Sequence, residues 1–298
     1  MVRPIVIIGA PSSAGAYAPG QEKAPAAFRK HGLLHALQQG GMAVRDLGDV
    51  APFRWRPDPA RPKAMNLGAV QHTAASVAEY VATAMKADET TLVLGGDCTI
   101  ELGTVAGARR DGASVGLVYI DLDTDLNPPG QSDGALDWTV AAHLLDLQGT
   151  APELTGLGPT TPLLKPTDLF FLGPNEDEVT SYEKGVITER SLQYVSLATV
   201  KKSPAKAAEH AIQWGAQFDR LLIHLDVDVL AYTHFPIAEN VRRSNGLALS
   251  ELAQLLAILT QAPNWRALTI TEVNPDHAPD ESETFQQLIA ALFPSRAS

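Results

Sequence analysis

Five aspartates in two short runs carry the most chemistry in this chain. Asp121, Asp123 and Asp125 alternate with Leu122 and Thr124, and further along Asp226 and Asp228 flank Val227. Each run follows an apolar segment that reads as a buried strand, Val115 to Ile120 and Leu221 to Leu225. In an ideal strand alternate side chains share a face, so 121, 123 and 125 would point one way, as would 226 and 228. Carboxylates clustered at the ends of buried strands are costly unless positive charge sits among them. Hard divalent cations supply that charge, and two could share the cluster. The competing reading is a set of solvated aspartates that cap the following elements. Ligands in open α/β sheets sit at the C-terminal ends of strands, which favours the metal reading.

The elements that must position these residues alternate along the chain. Strands are expected at 5–8, 42–47, 91–94, 115–120, 168–172, 193–195, 221–225 and 267–272. Helices are expected at 24–39, 70–86, 99–109, 137–146, 204–217, 249–260 and 282–292, with Thr99 as a candidate cap. About eight strands with helices between them predict an α/β fold with a mostly parallel sheet covered on both faces. No repeat or linker divides the chain, so one domain is expected over all 298 residues. The glycines at 9, 15 and 20 lack the spacing of a phosphate loop and read as turns.

Composition narrows the partners. The formal net charge is -11, which argues against nucleic acid or an anionic membrane. Cys98 is the sole cysteine, which excludes an internal disulfide and fits a reducing cytoplasm. The first residues do not read as a secretory leader, and no apolar run approaches the ~20 residues of a membrane helix.

Several further motifs occur in a fixed order: Gly9-Ala10-Pro11-Ser12-Ser13-Ala14-Gly15, Pro19 to Pro25, Gly95-Gly96-Asp97-Cys98, Asp121 to Asn127, His224 to Asp228, and Glu272-Val273-Asn274-Pro275. Together they resemble the ureohydrolase superfamily of arginase, agmatinase and formimidoylglutamase over nearly the whole chain. The resemblance implies a three-layer α/β/α sandwich, a trimer or hexamer, and two manganese ions bridged by a hydroxide that attacks a guanidinium carbon. It implies metal ligands at Asp121, Asp125, Asp226 and Asp228, with Asp121 and Asp226 as bridges. It also implies that Glu272 grips the guanidinium, that Asn127 helps hold the far end of the substrate, that Asp133 lies at a substrate-contact position, and that Glu176 lies either at another such position or on the surface.

Departures from that pattern fall on the histidines. Cys98 and Asp123 stand where the family usually has ligating histidines, and Asp137 aligns with its proton-shuttling histidine, either as a substitute acid or as a helix N-terminal carboxylate favoured by the dipole. Four aspartates with two neutral histidines would balance two divalent cations, -4 against +4. Five aspartates and a thiolate give -6, an excess that needs a held proton, a nearby cation or partial loading. Asp123 favours hard ions and a ligating Cys98 softer ones. Cys98 is open to three roles: ligand, nucleophile or inert thiol. His224 shares a strand face with Asp226 and Asp228, either as a ligand or partner of the cluster or as a buried core histidine. His234 and His277 are candidate substitutes for the missing shuttle, or solvated loop histidines. The leading expectation is a divergent metal-dependent hydrolase of a guanidino-type or amide-like C–N bond in a small molecule. The alternative is an inactive small-molecule binding or regulatory protein.

Overall fold

Several strands, such as Ile5–Gly9, Val115–Ile120 and Leu169–Leu172, are buried along their whole length, and the structure explains why. The computed structural model describes residues 3–293 apart from 132 and 243. Its strands are β1 (Ile5–Gly9), β2 (Val44–Asp49), β3 (Thr90–Leu94), β4 (Val115–Ile120), β5 (Leu169–Leu172), β6 (Gln193–Val195), β7 (Arg220–Asp226) and β8 (Trp265–Thr271). They form one eight-stranded sheet in the order β2-β1-β3-β8-β7-β4-β5-β6, and every adjacent pair is parallel.

Two apolar cores lie on opposite faces of this sheet, as strand alternation requires. Val118 and Ile120 join Phe28, Trp214, Leu255 and Phe285 on one side, under helices 24–39, 204–215, 249–259 and 281–292. Leu117 and Tyr119 join Val77, Val81, Leu102 and Val105 on the other, under helices 67–86, 100–108 and 140–144. The result is the expected three-layer sandwich. Helices Leu67–Lys86 and Ile100–Ala108 pack closely because Gly103 and Gly107 face the first helix. A Cβ on Gly103 would lie 2.3 Å from the Ala74 carbonyl oxygen, and one on Gly107 would lie 2.5 Å from that of Ala78.

Local differences from expectation have physical causes. The helix expected over 24–39 is two, Ala24–Lys30 and Leu33–Gln39, broken by Gly32 at φ 94°. The segment from 137 opens as a 3-10 turn, Asp137–Thr139, before the short helix Val140–Leu144. Helix Ser181–Arg190 has no apolar stripe to announce it; Thr180 and Glu183 hold its start in a reciprocal capping box. Thr99 does not cap with its side chain, because its hydroxyl is spent on Asp97. Among the described residues no helix is long and apolar enough to cross a membrane.

Candidate metal centre and active site

Four neighbouring strands, β3, β8, β7 and β4, end beside one cavity of about 470 Å³. The chain after β3 supplies Cys98, that after β8 Glu272, the end of β7 Asp226 and Asp228, and the loop after β4 Asp121, Asp123 and Asp125. Ideal strand alternation does not place these carboxylates. β4 stops at Ile120, Asp125 turns to φ 51°, and Asp228 lies in the 3-10 turn Val227–Val229. Chain reversal therefore gathers residues that a continued strand would have spread out. Glu272 also has a left-handed backbone, φ 63°. Two non-glycine residues in that region at one site mark strain of about 1–2 kcal/mol each.

A backbone brace sets the floor. Gly96 lies so close to the Ser12 backbone that a Cβ would meet its carbonyl oxygen at 1.6 Å. The Asp97 N–H donates to Ser12 O, and the Glu272 N–H donates to Gly96 O. Fully buried Asp97 accepts from the Gly15 N–H at 3.0 Å, and the Gly15 carbonyl accepts from the N–H groups of Leu136 and Asp137. The glycine loop at 9–20 is thus a strut between the site and the wall segment 133–139.

Side chains on the floor are already in contact. Asp121, Asp123 and Asp228 each offer one oxygen, and all three oxygens lie within 4.8 Å of one another. Asp226 accepts from the Asp228 N–H at 2.7 Å and from the Cys98 thiol at 3.1 Å, and Cys98 Sγ lies 3.1 Å from Thr271 Oγ1. Asp125 accepts from the Tyr119 hydroxyl. The Glu272 carboxylate accepts from the Cys98 N–H and the Gln21 amide, both at 3.0 Å.

Burial and crowding dominate the electrostatics. Burial, then Asp226, pushes Asp121 well above the ordinary carboxylate range, and burial raises Asp125 and Asp226 likewise. Asp228 is pushed up to about 7 by burial and by Asp123, and Glu272 to about 8 by burial and by Asp97. Burial and Asp226 raise the Cys98 thiol. A cation among the carboxylates would reverse these shifts, so the donor set fits a hard divalent metal on Asp121, Asp123 and Asp228.

Several expected site residues are brought together and others are not. Cys98, Asp121, Asp123, Asp125, Asp133, Asp137, Asp226, Asp228 and Glu272 all line the cavity. Asp137 stands at its wall, with its pKa raised by burial and by Glu272, while Asp133 is exposed at the mouth. Asn127 is half-buried and outside the lining. Glu176 is exposed beside a separate small cavity and accepts from the Tyr194 hydroxyl at 3.0 Å, so it does not line this one. His224 is fully buried beneath the floor and is not placed as a ligand. It stacks on Tyr119 at 4.1 Å and lies 3.5 Å from buried Glu101. It meets the cluster through Tyr119, the tyrosine that donates to Asp125. His234 is exposed, and His277 pairs with the Ala238 carbonyl; neither lines the cavity.

Sequence reasoning missed the mouth. Tyr17, Trp138, Asn240, Val241 and Arg242 line it. Among the described residues Arg242 is the one basic residue in a lining that holds seven aspartates and Glu272, and no ion pair engages its guanidinium there. The Asn240 amide donates to Asp228 at 3.4 Å. Lone basic and aromatic residues in loops carry no periodic signal that would have singled them out.

These features have counterparts among known proteins. The sequence model of the arginase family matches residues 3–294. Arginase-1 of Rattus norvegicus is 30% identical over 283 residues, covering 92% of this chain and 85% of the relative. The arginase structure from Bacillus subtilis superposes with a TM-score of 0.87 at 23% identity, covering 100% of both chains. A formimidoylglutamase from Bacillus subtilis gives 0.75 at 18% identity, covering 98% of this chain and 86% of that one. The chain belongs to the arginase family.

Proposed function

We propose that this protein is a divalent-metal-dependent hydrolase of a guanidino-type C–N bond in a small molecule. The observation that carries the reading is the convergence of carboxylates from the ends of three adjacent strands, β8, β7 and β4, on one cavity floor, with Cys98 from β3 beside them. A divalent cation, which Asp121, Asp123 and Asp228 would hold, would supply a water made nucleophilic near neutral pH. The residues do the rest. Glu272, whose carboxylate now accepts from Cys98 and Gln21, is placed to exchange the Gln21 amide for a guanidinium N–H. Asp137, buried at the wall with a raised pKa, is placed to hold the proton that a leaving amine requires. Arg242 at the mouth suits a carboxylate at the far end of the substrate. Manganese, by family membership, is the ion we assign first, and we place the protein in the cytoplasm as a homo-oligomer.

A second reading, a binding or regulatory protein without turnover, has one specific observation in its favour. Among the described residues no histidine lines the cavity, so the family's usual proton shuttle has no histidine counterpart there. The two readings separate in one assay. Purified protein loaded with Mn²⁺ is incubated with arginine, agmatine and ω-guanidino carboxylic acids, and urea release is measured. Release lost on Glu272→Gln supports the hydrolase; tight binding of the same compounds without release establishes the binding protein.

A further inference from the structure

The floor of the cavity is divided into two halves with different chemistry. On one side stand Asp121, Asp123 and Asp228, whose oxygens lie within 4.8 Å of one another. A hard cation bound at 2.0–2.6 Å by oxygen ligands places those ligands within about 5 Å of one another, so the three match one coordination sphere. These three also carry hydrogen bonds, Asp121 from the Asp123 N–H at 2.7 Å and Asp228 from the Asn240 amide at 3.4 Å, but on the other side the bonds come from a buried hydroxyl and a thiol and the donors do not converge. The Asp125 carboxylate receives the hydroxyl of buried Tyr119. The Cys98 thiol donates to Asp226 at 3.1 Å and meets the Thr271 hydroxyl at 3.1 Å, while the other Asp226 oxygen takes the Asp228 N–H. Among the described residues no group containing Cys98 or Asp125 converges as the first three do.

We propose that this chain binds a single hard divalent cation, on Asp121, Asp123 and Asp228, and that the half flanked by Cys98 and Asp125 stays free of metal. Three carboxylates against one divalent cation leave an excess of one negative charge. Filling the second half would require Cys98 to surrender its proton and Asp125 and Asp226 to exchange their hydrogen bonds for a second ion. An all-oxygen set also selects Mg²⁺, Mn²⁺ or Ca²⁺ over thiophilic ions. Tyr119 and Thr271 are positioning residues here: each occupies a donor that a second ion would need.

This inference rests on the metal-dependent reading above, and the test separates the two. The intact protein, purified without chelators, is loaded with Mn²⁺ and desalted. Metal per chain is measured by elemental mass spectrometry, and the ion's electron paramagnetic resonance spectrum is recorded. One ion per chain is expected, with the hyperfine-split spectrum of an isolated Mn²⁺. Two ions per chain, or an exchange-coupled spectrum, would overturn the inference and leave the hydrolase reading standing. No bound ion would overturn both. Cadmium gives an independent readout on the unaltered chain: no sulfur-to-cadmium charge-transfer band is expected, and its appearance would place Cys98 in the coordination sphere and overturn the inference. Asp123→Ala is expected to weaken Mn²⁺ binding at least about 100-fold, whereas Cys98→Ala leaves the stoichiometry at one. A fall in metal content for Cys98→Ala would count against the assignment.

Discussion

Arg242 sits at the mouth of a cavity whose other charged groups, among the described residues, are all acidic. A cationic guanidinium is drawn to the floor, and a substrate that also carries a carboxylate has one place to put it. Arg242→Ala should therefore raise KM for ω-guanidino carboxylic acids about tenfold or more, the worth of a charge-assisted hydrogen bond, and leave agmatine unaffected. Equal losses for both substrates would remove Arg242 from recognition. Glu272→Gln tests the other end: it keeps the acceptor for the Cys98 N–H but loses the charge, so kcat/KM should fall about 100-fold with metal content unchanged. The floor residues were legible in the sequence because aspartates at strand ends have few structural reasons to cluster. The mouth was not legible, since Tyr17, Trp138 and Arg242 come from loops. Of the two readings of His224, the structure favours the buried core histidine, for a physical reason. Strand alternation fixes only the face on which a side chain emerges, and on that face His224 lies a layer deeper than the cavity, between Tyr119 and Glu101.

At the scale of elements, the close contact between helices Leu67–Lys86 and Ile100–Ala108 bears directly on the site, because the second helix starts two residues after Cys98. Gly103→Val would drive a side chain into the Ala74 backbone and push the helices apart. The expected cost is about 1–3 kcal/mol, read as a lower thermal midpoint, with some loss of metal affinity as Cys98 and the floor shift. An unchanged midpoint would show that the interface has slack. Strand positions were readable from apolar runs: 115–120 and 193–195 match in full, while β7 and β8 differ by one or two residues at their ends. Helices held by caps rather than by an apolar stripe, such as Ser181–Arg190, escaped notice. So did the break at Gly32, where one amphipathic pattern runs across two helices.

For the molecule as a whole, the buried carboxylates make metal-free protein sensitive to pH. Glu272 rises from 4.5 to about 8 and Asp228 from 3.8 to about 7 on burial. The folded state then holds protons that the unfolded state releases. Their contribution to stability is complete below about pH 4 and is lost as pH rises toward 8, where it levels off. The thermal midpoint of chelator-treated protein should fall across that window, and Mn²⁺ should restore it most at the alkaline end; a flat profile would contradict the electrostatic account. The strand order has a consequence for how the chain is made. β7 and β8 occupy the middle of the sheet but are the last strands in the chain. A ribosome delivers β1 to β3 and β4 to β6 first, as two half-sheets whose inner strands, β3 and β4, end in bare apolar edges. Until residues 220–271 emerge and slot between them, the nascent protein carries two sticky seams and no place to hold a metal. A chaperone that protects this protein should act during that interval, and chains cut short before residue 220 should aggregate rather than fold.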